Sequence, residues 1–330
     1  MRTTSFDLEE KRLEDEIGKR KAKIVLLQLP EGLKAEGPRL ASIIEDAGAL
    51  AIVSADPCYG ACDLALPDAE SLGADLLIHY GHSPQIKQGK VPTIYMEARA
   101  RISVKKAVKK AIYLLEPWSN IGLVTTVQHV HRLEEAKELL LKARKTVAVG
   151  DAGLLKYAGQ VIGCDFSNAK SVSKEVEAFL FVGGGRFHAV GLALATTKPT
   201  IIADPYEERA YPIHDEVQRI LRQRWANVSA AKEAENFGIL IGLKSGQKKI
   251  REAVKIGEKL RKSGRKAVLL ALREITSNAL MQFPNIDAFV NTACPRVSLD
   301  DTPSFLKPIL FLNEALVMLG EMDWEELCRK

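Results

Sequence analysis

Apolar, β-branched runs recur along this chain with helical stretches between them, the pattern of parallel strands buried on both faces of a sheet. Runs at 24–29 and 51–55, at 121–125 and 146–150, and at 238–242 and 267–271 predict paired strands in three places. Amphipathic spacing predicts helices between them, for example over 131–143 and 247–262. A third run follows in each place. Segment 74–82 aligns without gaps with 177–185 and with 286–294, each a buried strand running into a tight, small or polar loop, so that His82, Gly185 and Cys294 share one repeated position.

A fourth strand is predicted each time, at 91–94, 198–201 and 307–310, with a proline at its entry, where the first residue need not donate to the ladder. Thirteen residues separate Gly185 from Lys198 and Cys294 from Lys307, against nine from His82 to Val91. Three ordered copies at similar offsets predict an α/β protein of three similar domains, 1–115, 116–225 and 226–330. Each would be a small parallel sheet flanked by helices. Arranged with pseudo-threefold symmetry about a common axis, the domains would turn their strand carboxyl ends, where such sheets gather ligands, toward one central site.

Length and composition agree with this division. A chain of 330 residues exceeds one ordinary core, and 46% hydrophobic with 27% charged residues describes a globular protein. Aromatics at 6% are too sparse for a surface that stacks nucleobases, so no direct nucleic-acid binding is expected. The net charge of 47 − 42 = +5 is modest; the basic runs at Lys105, Lys106, Lys109 and Lys110, and the ten Lys/Arg from Lys244 to Lys266, are read first as solvated helix faces. No apolar run approaches the roughly 20 residues of a membrane helix, and residues 1–23 lack a signal-peptide stretch, so a cytoplasmic location without membrane contact is expected.

Five cysteines, odd in number and far apart, do not form a disulfide framework in that compartment. Cys62 and Cys164 follow the second strand of their units and Cys294 ends the third strand of its unit, all at strand exits. Spacing alone leaves packing and metal binding both open, because no two of the three form a CxxC pair. Their shared placement in three repeats favours metal. A cubane cluster held by three thiolates leaves one iron open to a substrate, which suits catalysis rather than simple electron transfer. Cys58, four residues before Cys62, and Cys328, near the chain end, are left out of the ligand set.

The segments Leu29-Pro-Glu-Gly-Leu33, Tyr59-Gly-Ala-Cys-Asp63, His79-Tyr-Gly-His82, Gln160-Val-Ile-Gly-Cys-Asp-Phe166, Gly185-Arg-Phe-His188 and Asn291-Thr-Ala-Cys-Pro-Arg296 resemble those of the archaeal diphthamide synthase family, the Dph2-type 2-(3-amino-3-carboxypropyl)histidine synthases. The likeness runs in order from about residue 20 to 315. It implies three similar α/β domains and a [4Fe–4S] cluster with one cysteine from each, here Cys62, Cys164 and Cys294. Ala65 stands where a CxxxCxxC run starting at Cys58 would need its third cysteine, so the chain does not resemble a conventional radical S-adenosylmethionine enzyme. The resemblance implies that the reduced cluster gives an electron to S-adenosyl-L-methionine, methylthioadenosine leaves, and the 3-amino-3-carboxypropyl group joins imidazole C2 of a histidine in translation elongation factor 2. It further implies a homodimer and an electron donor of unidentified nature.

Around these cysteines, His82 and Tyr80 are candidate catalytic residues, with His79 or His82 bonding a substrate carboxylate or orienting the target imidazole; satisfying backbone groups at a strand end is the plain alternative. Gly183, Gly184 and Gly185 allow close backbone approach and, with His188, could receive the aminocarboxypropyl end of S-adenosylmethionine, although the triplet does not fit GxGxxG. Arg296 is a carboxylate clamp or the partner of Asp300 or Asp301. Glu31 is a candidate acid or base, and the pair His129 and His131 lacks a third ligand for zinc. Two other functions stay in view: a [4Fe–4S] dehydratase resembling quinolinate synthase, and a non-catalytic cluster-bearing partner subunit.

Overall fold

The computed structural model describes residues 5–85, 89–299 and 305–329. A short strand β1 (Phe6–Asp7) and helix Glu10–Arg20 lead into the first sheet. Its strands β2 (Ile24–Gln28), β3 (Leu50–Val53), β4 (Leu76–Tyr80) and β5 (Thr93–Met96) are parallel in the order β3-β2-β4-β5. β6 (Arg99–Ala100) then pairs antiparallel with β1. The second sheet holds β7 (Asn120–Thr125), β8 (Thr146–Ala148), β9 (Ala178–Val182) and β10 (Thr200–Asp204) in the order β8-β7-β9-β10, with β11 (Arg209–Pro212) added antiparallel to β10. In the third, β12 (Asn236–Gly242), β13 (Lys266–Leu272), β14 (Ala288–Asn291) and β15 (Ile309–Phe311) run in the order β13-β12-β14-β15. The protein is thus a mixed α/β fold of parallel sheets flanked by helices, and its three larger sheets share one strand order.

The repetition extends to single hydrogen bonds. One Oδ2 of Asp75 accepts from the backbone N–H groups of Lys23 and Ile24 at the start of β2. Glu177 does the same for Ser119 and Asn120, and Asp287 for Glu235 and Asn236. These three acids are therefore equivalent. They correct the alignment of the second repeat by one residue: Gly184, not Gly185, corresponds to His82 and Cys294.

The apolar runs of the inner strands β2, β4, β7, β9, β12 and β14 are continuous because these strands are covered on both faces. Leu27 and Ile78 face Leu13 and Leu40 of the helices on one side of the first sheet, while Leu26 and Leu77 pack with Ala69 and Tyr95 on the other. Phe179 and Phe181 in the second sheet and Phe237 and Phe289 in the third are likewise buried. Each such side chain stabilises by roughly 1.5–3 kcal/mol.

The fourth strands begin two residues later than expected, because Pro92, Pro199 and Pro308 sit just outside them and contribute only a carbonyl, to Leu77, Phe179 and Phe289. Predicted helix 131–143 divides into a 3₁₀ turn, Val130–Arg132, and an α-helix, Leu133–Lys142; predicted helix 247–262 starts at Ile250. The domain limit placed at 225/226 falls inside helix His214–Ala231. Among the described residues, no helix is long and apolar enough to cross a membrane.

Candidate metal and substrate cavity

Cys62 lies in the loop from β3 to helix Leu66–Ser71, Cys164 in the loop from β8 to helix Ser167–Val172, and Cys294 between β14 and helix Pro295–Leu299. All are carboxyl-end loops of parallel strands. All three side chains line one cavity of about 350 Å³, within the ~300–1,000 Å³ range of small-molecule sites. None forms a disulfide.

The thiols sense one another. Burial pushes Cys294 up to about 11, and the neighbouring Cys62 and Cys164 add to the shift. Burial also raises Cys62, opposed by Gln247 and reinforced by Cys164. The Gln247 amide donates to Cys62 Sγ at 3.5 Å and the Gln85 amide to Cys164 Sγ at 3.4 Å. Three soft sulfur donors with N–H groups aimed at two of them suit an iron–sulfur cluster, whose thiolates are stabilised by such hydrogen bonds. Cys58 reaches the same cavity, but its company is different: its Sγ lies within 4.8 Å of ligand nitrogens of His79 and His82, and burial followed by the Asp63 charge raises it to about 12. The side chain of Cys328 lies outside the described part of the structure.

The Cys62 loop is held by the loop after β12, some 180 residues away. Gly246 N–H donates to Cys62 O at 2.6 Å and Ser245 Oγ to Leu64 O at 3.0 Å. Lys244 Nζ pairs with Asp63 and Glu274, each at 2.6 Å, and sits 4.0 Å from the centre of the Tyr59 ring. Lys244 is not part of a solvated helix face, as its basic run suggested: it lies in the loop after β12 with its side chain 8% exposed, held there by the two carboxylates. Ser245, Gly246 and Glu274 belong to no motif and did not stand out in the sequence.

The other expected residues separate. His82, His188 and Arg296 line the cavity, as does Glu31. His79 lies beneath it, fully buried, with Nδ1 2.8 Å from Gln28 Oε1 and Nε2 2.9 Å from His82 Nδ1. Burial lowers His82 to about 4, partly offset by the nearby Tyr80 carbonyl and by Glu31, which favour the charged ring; burial lowers His188 to about 4, with His82 and Arg296 adding. Tyr80 does not reach the cavity. Strand alternation sends it to the face opposite His79, where its hydroxyl donates to Leu8 O at 2.8 Å inside the core.

Gly183, Gly184 and Gly185 precede helix Phe187–Thr196 but are not among the cavity-lining residues; an added Cβ at Gly184 would meet the Tyr206 ring. Arg296 packs its guanidinium against Tyr59 and Phe187. The expected partners Asp300 and Asp301 lie outside the described residues. His129 is buried against Tyr206, and neither it nor His131 belongs to a group of metal-ligating side chains among the described residues. Gln28, missed earlier, was visible as a polar residue closing the apolar strand β2.

Fold and cavity together define an α/β protein that brings three distant thiols to the carboxyl ends of three like-ordered sheets. Residues 29–328 match the family described as "Putative diphthamide synthesis protein", and the chain belongs to that family. It is 39% identical over 311 residues to the 2-(3-amino-3-carboxypropyl)histidine synthase of Pyrococcus horikoshii, covering 93% of this chain and 89% of that one. It is 34% identical to subunit 1 of the Homo sapiens enzyme of that name, covering 92% of this chain and 70% of the relative. The crystal structure of Dph2 from Pyrococcus horikoshii with a 4Fe-4S cluster superposes with a TM-score of 0.89 at 37% identity, over 96% of this chain and 92% of that one. The chain is accordingly an enzyme of this family, a transferase of diphthamide synthesis.

Proposed function

We propose that this protein transfers the 3-amino-3-carboxypropyl group of S-adenosyl-L-methionine to imidazole C2 of a histidine in translation elongation factor 2. The observation that carries the reading is the convergence of Cys62, Cys164 and Cys294 on one cavity. Those thiolates would hold a [4Fe–4S] cluster, central to three pseudo-threefold-related domains. Held there by Cys62, Cys164 and Cys294, such a cluster would supply one electron for cleavage of S-adenosyl-L-methionine.

The chain's own residues bind and orient. Arg296, at the cavity wall and braced by Tyr59 and Phe187, is suited to the substrate carboxylate. His188, held neutral by burial, can hydrogen-bond the amino end without adding repulsion to the sulfonium. The glycine triplet would act only through the backbone path that leads to His188. Tyr80 keeps a packing role.

The proposed location is the cytoplasm, where an external electron donor and the elongation factor would be met. A homodimer is supported by β13, the edge strand of the third sheet. It has seven residues, against four in β3 and three in β8 at the same place in the order. Val268 and Leu269 are exposed on it, and Ile250, Val254, Met281 and Phe283 are exposed on neighbouring segments. A long apolar edge invites pairing with a second copy.

The test is anaerobic incubation of reduced protein, alone, with S-adenosylmethionine and the elongation factor. Methylthioadenosine together with an aminocarboxypropyl-histidine in the factor supports the reading. Dehydratase chemistry would release no methylthioadenosine, and a non-catalytic subunit would need a second chain for either product.

A further inference from the structure

Gln28, His79 and His82 form one hydrogen-bonded chain from the core to the cavity, and its proton positions can be deduced. The Gln28 side chain has two backbone partners that cannot exchange roles. Its Nε2 donates to Asp63 O at 2.7 Å, and its Oε1 accepts from Ala65 N–H at 3.1 Å. The oxygen therefore faces His79 Nδ1, 2.8 Å away, and that nitrogen must carry a hydrogen. A neutral His79 then has a bare Nε2, which accepts from His82 Nδ1 at 2.9 Å. A neutral His82 is left with a bare Nε2.

Both rings are held neutral. Burial takes His79 well below its usual range, with His82 adding, and lowers His82 to about 4. Of the neighbouring groups, Glu31 and the Tyr80 carbonyl favour the charged His82, while the Cys58 thiol, raised to about 12, stays protonated and is a weak donor. His188 is lowered by the same burial and stays neutral opposite His82.

We infer that His82 Nε2 is the general base that removes the C2 proton of the target histidine, and that His79 and Gln28 are positioning residues that fix its tautomer. The inference rests on the function proposed above. When the aminocarboxypropyl radical bonds to C2, that carbon holds both the new substituent and its original hydrogen, with one unpaired electron in the ring. Aromaticity returns when the C2–H bond breaks, its proton passes to His82 Nε2, and the one electron given up would go back to the cluster that the three thiolates would hold. The net products are methylthioadenosine, substituted histidine and one proton, with no electron consumed. Three features of the site fit this role: His82 lines the thiol-walled cavity, it is half-buried there, and its Nδ1 is engaged by His79, which leaves Nε2 as the free acceptor.

The test has two arms. Nitrogen-15 NMR of the full chain labelled at its six histidines reads the tautomers directly. His79 and His82 should each be protonated at Nδ1 and bare at Nε2, and Gln28→Leu should shift His82 toward the other tautomer while Gln28→Glu keeps it. A His82 proton on Nε2 in the unaltered chain overturns the inference. In the second arm, His82→Gln should lose elongation-factor modification about 10²-fold more than methylthioadenosine release, the lower end of general-base effects. Equal losses of both overturn the base role. Absence of methylthioadenosine from the unaltered chain would instead overturn the proposed function, and the base role with it, while the NMR result would stand.

Discussion

The N–H of Gly246 donates to the carbonyl of Cys62 at 2.6 Å, and a Cβ on residue 246 would lie only 2.7 Å from the Cys62 Cα. The contact is backbone against backbone, so no rotamer change relieves it. The third unit thereby fixes a thiol that belongs to the first.

Gly246→Ala should therefore displace Cys62 rather than unfold the chain. The expected outcome is a folded protein, by circular dichroism, with markedly less iron and sulfide bound per chain. Unchanged metal content would show that the Cys62 loop tolerates the shift.

Glu97 is 3% exposed and accepts from Lys156 Nζ at 2.6 Å, Tyr157 OH at 2.7 Å and Arg99 at 3.1 Å. Burial alone would raise its carboxyl, but these donors outweigh burial and hold it below the usual range. A lowered acid stabilises the fold above its unfolded value of about 4.3, and that contribution fades as pH falls through the folded value. Glu97→Gln should cost about 2 kcal/mol at neutral pH, and the gap should narrow in urea titrations as pH falls below the unfolded value.

Arg224 and Glu314 form a buried ion pair between helices His214–Ala231 and Leu312–Met318, each side chain 4% exposed. Arg224 also donates to the carbonyls of Ser298 at 2.9 Å and Ile309 at 2.8 Å. Glu314→Ala strands the guanidinium and should destabilise by about 3–5 kcal/mol, read by chemical denaturation.

The fold was legible where burial is continuous. Apolar strands between helices marked all four parallel strands of each sheet, and the inner ones most clearly, because a two-face-buried strand has no polar positions to blur it. β11, written Arg-Ala-Tyr-Pro, was not legible, being short, half-exposed and closed by proline. The one-residue slip at Gly185 arose because runs of apolar residues and glycines align nearly as well in either register. The deciding signal was present: Asp75, Glu177 and Asp287 each precede a strand and accept from the start of its neighbour.

That Cys62, Cys164 and Cys294 come to one cavity was legible from their place at strand exits in the repeats. Tyr80 lies between two histidines in sequence, but strand alternation puts it on the opposite face from His79, inside the core. The Gly246 and Gln247 clamp on Cys62 depends on contacts across more than 180 residues, which no local pattern encodes.

The edge of β13 yields a further expectation. Replacing exposed Val268 and Leu269 together by lysine should convert a dimer to a monomer in sedimentation equilibrium without loss of helix content. A dimer that persists would move the second-copy contact elsewhere.

The most direct measurement is iron and sulfide content after anaerobic purification, compared across single alanine replacements of cysteine. Cys62→Ala, Cys164→Ala and Cys294→Ala should each lose or degrade the cluster, whereas Cys58→Ala and Cys328→Ala should keep it. Full cluster retention in any of the first three would contradict the three-thiol site.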